Sequence, residues 1–149
     1  LFSIAAEQPA SLTARPEAEI SAMAKYGAHL GIAFQLIDDA LDYSGTSLEL
    51  GKNLGDDLAE GKPTLPLIYA LQHANDEQAQ LIREAITQGS QHHLVSIVTI
   101  LQATLAIDYT RNLAEHHIQQ ALLHLDVIPD SGYRDALSLL AKFASERTY

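Results

Sequence analysis

The chain has 149 residues, 47% of them hydrophobic and 19% charged, with 19 acids against 9 bases and no cysteine. That balance fits one folded domain with a real core and not a disordered chain. It excludes a disulfide framework and a thiolate zinc site, and the formal charge of −10 argues against nucleic acid or an anionic membrane as main partner, since both need a basic face.

The periodicity is helical nearly throughout, so the expected fold class is all-α, a single helical bundle over residues 1–149. Leu1–Glu7 reads as the tail of a helix that starts in mid-pattern, as if the chain were cut inside it. It lacks the basic n-region of a signal peptide. Pro9 and Pro16 are expected to bracket a connection. Glu17 to about Tyr43 reads as one long helix, with Ile20, Met23, Ala24, Gly27, Leu30, Gly31, Phe34 and Ile37 on one stripe. Its most apolar run, Gly27 to Ile37, stops at Asp38 and is shorter than the roughly 18 residues of a membrane span. Gly27 and Gly31 omit side chains one turn apart, which would admit a neighbouring helix or a ligand.

Ser44-Gly45 should end that helix. Residues 45–63 then read as a long charged loop with four glycines, a length that usually marks function or disorder. Thr64 is placed to cap Leu65–Ala74. Asp76–Gln88, ended by Gly89, and His92–Ala103 follow. A long amphipathic segment broken near Thr104 runs to Leu125, and Pro129-Asp130 turns into Tyr133–Arg147. Phe2, Tyr26, Tyr69 and Phe143 are expected in the core, with Tyr109 and Tyr133 partly exposed.

The chemistry concentrates between Phe34 and Thr64. Asp38 and Asp42 are four apart and share a helix face, with Gln35 one turn earlier. Asp39 lies about 100° around and pairs with Asp42 at i+3. Like charges at this spacing cost roughly 0.2–0.5 kcal/mol, and acids in a last turn oppose the helix dipole at roughly 0.3–1 kcal/mol each. From Asp38 to Glu60 there are seven acids and one base, Lys52; Lys62 follows. Hard carboxylate oxygens suit Mg²⁺, which takes one or two protein carboxylates, waters and substrate phosphate oxygens. Lysine acts as a point charge on phosphate. Acids, Mg²⁺, a diphosphate and two lysines make a balanced set.

Phe34-Gln35-x-x-Asp38-Asp39-x-x-Asp42 resembles the second aspartate-rich motif of the trans-isoprenyl (polyprenyl) diphosphate synthases. Gly51-Lys52-Asn53-x-Gly55-Asp56-Asp57-x-x-Glu60-Gly61-Lys62-Pro63-Thr64-Leu65-Pro66-Leu67 resembles the stretch that follows it, with wording nearest the bacterial octaprenyl type. The resemblance implies that Asp38 and Asp42, supported by Asp39, hold Mg²⁺ on an allylic diphosphate. It implies that Lys52 and Lys62 neutralise the departing diphosphate, that Gln35 hydrogen-bonds near it, and that Phe34 lines the pocket by the reacting carbons. The implied reaction joins that allylic diphosphate to isopentenyl diphosphate, in a soluble cytoplasmic enzyme, usually a homodimer.

One departure matters. The first aspartate-rich motif of such enzymes, with its arginines, has no counterpart here, nor does their upstream Lys-Thr pair. The chain therefore resembles the C-terminal half only and is expected to be inactive alone. Two rivals remain: a non-catalytic partner or regulatory subunit of the same fold, and a terpene cyclase. The cyclase reading lacks its downstream Asn/Asp-Ser/Thr-Glu metal motif. Of the seven histidines, the pairs His92-His93 and His116-His117 point about 100° apart on a helix and do not chelate easily; they are expected at a surface or interface.

Overall fold

The computed structural model describes residues 1–44, 55–89 and 91–145, the side chain of Gln91 excepted. Among them there are eight α-helices, one 3₁₀ turn at Gln91–His93 and no strand, as the all-α expectation requires. The helices are α1 (Phe2–Leu12), α2 (Glu17–Leu41), α3 (Asp56–Ala59), α4 (Leu65–His73), α5 (Asp76–Gln88), α6 (Leu94–Ala103), α7 (Ala106–Leu125) and α8 (Gly132–Ser145). The chain divides into two compact units. Of the described residues, one unit holds 1–37 and 113–145, the other 38–44, 55–89 and 91–112.

In the first unit Tyr26, Leu30 and Ala33 of α2 pack with Ile118, Ala121 and Leu125 of α7 and Ala141 and Ala144 of α8. The Tyr26 ring is buried, and its hydroxyl donates to the Leu137 carbonyl at 2.9 Å. Burial pushes that phenol up to about 12, so it stays a donor. The two α2 glycines do admit a helix. A Cβ on Gly27 would sit 2.8 Å from the Ala6 Cβ and inside contact with the Phe2 carbonyl, and one on Gly31 would meet the Phe2 Cβ at 3.0 Å and its ring at 3.1 Å.

Several expectations need correction here. Pro9 lies inside α1 and does not end it. Its fixed φ suits a helix, so the chain forgoes one i→i−4 bond and runs three residues further. Phe2 is 37% exposed and Phe143 57% exposed, so neither is a core residue. On α8 the buried stripe runs through Ala141 and Ala144; Phe143 stands off that stripe, with Leu139 and Leu140 also exposed.

The histidines form a group that sequence spacing hides. His29 of α2 and His117 of α7 face each other Nδ1 to Nδ1 at 2.8 Å, one donating to the other. The His29 ring stacks on His124 at 5.6 Å, and His116 stands edge-on to His117.

In the second unit Leu58, Leu67, Ile82, Ile97 and Leu101 are fully buried around Ala70, Ala85 and Tyr43. Each such aliphatic chain contributes roughly 1.5–3 kcal/mol by leaving water. Asn75 and Gln78 form a capping box at the start of α5, with bonds of 2.9 and 3.2 Å. Gly89 ends α5 in the left-handed region, as expected. The break near Thr104 is real: Leu105 takes a positive φ of 57° between α6 and α7. What read as loop before Thr64 contains α3, a single turn too short to show periodicity. Tyr69 packs against this core and stacks on Tyr109 at 4.1 Å, and Tyr109 and Tyr133 are exposed.

Two outcomes follow from this packing. Gly27→Ala gains helix propensity but forces α1 off α2, so net destabilisation of about 1–3 kcal/mol is expected in denaturant unfolding. Gly132→Ala, with nothing within 4 Å, should be near neutral. Second, burial and then the charges of His117, His124 and His116 hold His29 below its ordinary value of 6.5. Burial and then His116 do the same to His117. Stability from the neutral pair is complete above pH 6.5 and is lost as pH falls through the lowered folded values. Thermal unfolding should show that loss in the native sequence and a shallower one in His117→Gln.

Candidate functional site

Asp38 and Asp39 lie in the last turn of α2, and Asp42 follows in the turn that closes it, its N–H bonded to the Asp38 carbonyl at 3.1 Å. Asp39 is only 7% exposed, while Asp38 and Asp42 are half-buried. Acids persist at this unfavourable helix end because Asp42 has another partner. Its carboxylate accepts the N–H of Asp56 at 3.1 Å and of Asp57 at 3.2 Å. These are among the N–H groups that a helix start leaves open. Asp42 thus caps α3 from 14 residues away, and its own carbonyl takes the Gly55 N–H at 3.0 Å.

Gly55 makes this approach possible. It sits at φ 75°, and a Cβ there would lie 2.5 Å from Leu94. Leu58, fully buried, anchors the turn from the other side. Burial first, and then the charge of Asp57, raise the Asp42 carboxyl to about 6, although the two N–H bonds pull it down.

Lys62 returns to the same place. Its N–H bonds to the Asp57 carbonyl at 2.8 Å. Its ammonium reaches Asp57 at 3.3 Å and Glu60 at 2.5 Å, and both hydrogen bonds hold its pKa up. With 56% of its side chain exposed, this pair adds little to stability and leaves the ammonium free to exchange partners. The structure therefore brings together Asp42, Asp57 and Lys62. Lys52 lies outside the described residues, with Gly51 and Asn53. Asp57 and Glu60 received no role from the sequence, although their position just before Lys62 was a signal.

Phe34 and Gln35 occupy α2 in the first unit. The Phe34 ring packs on Phe2 at 5.6 Å. Both line an open, mainly apolar groove with Phe2, Gly27, Gly31 and Ile32. Gln35 is exposed.

Among the described residues no three of Asp, Glu or His form a ready-made metal cage. The donor set still fits Mg²⁺, which keeps most of its shell as water and phosphate oxygen and needs only one or two carboxylates. The acids are hard donors, and the chain has no cysteine to offer a thiolate instead.

Comparison with known proteins extends this. The sequence pattern of the family described as "Polyprenyl synthetase" matches residues 1–101. The octaprenyl diphosphate synthase of Haemophilus influenzae is 45% identical over 150 residues, covering 100% of this chain and 46% of that protein. A crystal structure of a polyprenyl synthase from Caulobacter crescentus, complexed with calcium and isoprenyl diphosphate, aligns with TM-score 0.89 at 37% identity, over 99% of this chain and 46% of that one. A decaprenyl diphosphate synthase from Rhodobacter capsulatus aligns with TM-score 0.90 at 35% identity, again over 99% and 46%. The chain spans about half the length of the curated relatives it matches.

The cap can be tested alone. Asp42→Ala should cost about 1–2 kcal/mol in urea unfolding, the usual loss for a removed helix cap. Asp42→Asn, which keeps an acceptor and removes the charge beside Asp57, should cost less.

Proposed function

The chain belongs to the polyprenyl synthetase family, and on that footing we propose that it supplies one half of a Mg²⁺–diphosphate site in a long-chain trans-prenyltransferase. The reaction would join an allylic diphosphate to isopentenyl diphosphate, with an octaprenyl product, of the kind quinone side chains carry, as the nearest match. The observation that carries this reading is local. The α3 turn draws two half-buried carboxylates, Asp42 and Asp57, and the Lys62 ammonium into one charged ring at the end of an apolar helix.

Mg²⁺, when bound, supplies Lewis-acid polarisation of the leaving diphosphate. Asp38 and Asp42 would hold it, and Asp39, buried beneath them, would fix the last turn. Lys62, with Lys52, would trade carboxylate partners for the diphosphate oxygens and stabilise their growing negative charge. Gln35, one turn before Asp38, would donate to the same group. Phe34 would keep water from the allylic carbons as the C–O bond breaks. The isopentenyl double bond would then attack, and a proton would be lost from the new chain. A homodimeric, cytoplasmic enzyme belongs to the same proposal. Among the described residues no helix is long and apolar enough to cross a membrane.

The test is calorimetric titration of diphosphate with Mg²⁺ into the full-length protein. Asp38→Ala combined with Asp42→Ala should abolish Mg²⁺-dependent binding. Lys62→Ala should weaken it roughly 10- to 100-fold, the worth of one charge-assisted hydrogen bond. Undiminished binding in the double aspartate variant, with folding checked by circular dichroism, would remove the proposal.

A further inference from the structure

Lys62 takes its place from the way α3 stops. Glu60 caps the turn and Gly61 follows at φ 70°. Two bonds then close the end. The Gly61 N–H donates to the Leu58 carbonyl at 3.0 Å, and the Lys62 N–H donates to the Asp57 carbonyl at 2.8 Å. That pair of bonds is a Schellman motif, which calls for a left-handed residue where Gly61 stands. The bend turns the chain back, and the Lys62 ammonium comes within 3.3 Å of the Asp57 carboxylate.

A second glycine, Gly89, ends α5 at φ 56°. Each of the two glycines lies against the other's helix. A Cβ on Gly61 would fall 2.8 Å from the Ile86 carbonyl oxygen of α5, and one on Gly89 would fall 2.9 Å from the Ala59 carbonyl oxygen of α3. Both neighbours are backbone, which cannot rotate out of the way. α5 is the firm partner in this contact, since a capping box holds its start and Ala79, Ile82 and Ala85 are buried. α3, by contrast, is far too short to hold itself. We propose that Gly61 and Gly89 are positioning residues, a reciprocal clasp that presses the end of α3 onto the end of α5 and so fixes Lys62 for the diphosphate. The inference rests on the diphosphate reading of the site. A side chain at either glycine would push α3 away from α5 and carry the ammonium off the diphosphate oxygens. Left-handed φ alone does not account for the pair, because asparagine also takes that conformation at a helix end.

The experiment titrates inorganic diphosphate with Mg²⁺ into the full-length protein by calorimetry, with circular dichroism on every variant. Gly61→Asn and Gly89→Asn accept the left-handed φ and add only the side chain that meets the opposite carbonyl. Each should weaken binding roughly tenfold, and no more than Lys62→Ala does. In a Lys62→Ala background neither should change affinity by more than about twofold, since the group they position is gone. Either variant binding within about twofold of native, or losses that multiply with that of Lys62→Ala, would overturn the inference. If Gly61→Asn unfolds, Gly89→Asn decides by the same comparison. Unfolding of both would also overturn it, because the glycines would then hold the whole unit and not one lysine. Lys62→Ala separates the two readings. If it weakens binding while both glycine variants bind like the native protein, only the clasp falls. If it binds diphosphate like the native protein, Lys62 has no part in the site, and that part of the site reading falls together with the clasp.

Discussion

The two bonds from the amides of Asp56 and Asp57 to the Asp42 carboxylate organise the acidic end of α2 and the turn that follows it. A single helical turn of four residues, α3, is far below the length at which a helix holds itself in water. Two things stabilise it here. Leu58 enters the core with no exposure, and a remote acid satisfies its open N–H groups. In return the turn presents its own acids, and the backbone of Asp57 carries Lys62 back to the same place.

This arrangement answers why acids collect at the negative end of α2. On an isolated helix they would repel each other and the dipole. In the folded chain Asp42 is offset by two N–H donors, and Lys62 balances Asp57 and Glu60. The balance is partial, since the Asp42 carboxyl is still raised to about 6 by burial and by Asp57. A cation arriving with a diphosphate would relieve that residual repulsion and draw Lys62 from its exposed ion pairs. Those pairs are weak enough to exchange, which suits the part that the proposal gives Lys62.

The two glycines on α2 serve a different end. They let α1 approach closely enough that the Phe2 ring reaches Phe34. The groove lined by Phe2, Gly27, Gly31 and Phe34 is therefore a product of that close approach.

Much of this was legible from residue order alone. Long elements with strong periodicity, such as α2, α5 and the segment ending at Leu125, could be read because a 3.6-residue repeat and its caps are local features. Asp38, Asp39, Asp42 and Lys62 stood out through charge and spacing, and the resemblance to a known family came from those same residues. Other features required the folded chain. The α3 turn is shorter than any readable period. Pro9 counted as a breaker until packing carried the helix past it. Phe143 looked like core by its chemistry, but the direction of the α8 stripe decides which residues face inward. The His29–His117 pair joins positions 88 apart, and the Asp42 cap joins positions 14 apart. Sequence carries local propensity and residue chemistry; which distant groups become partners depends on how helices pack, and that is set by the whole core at once.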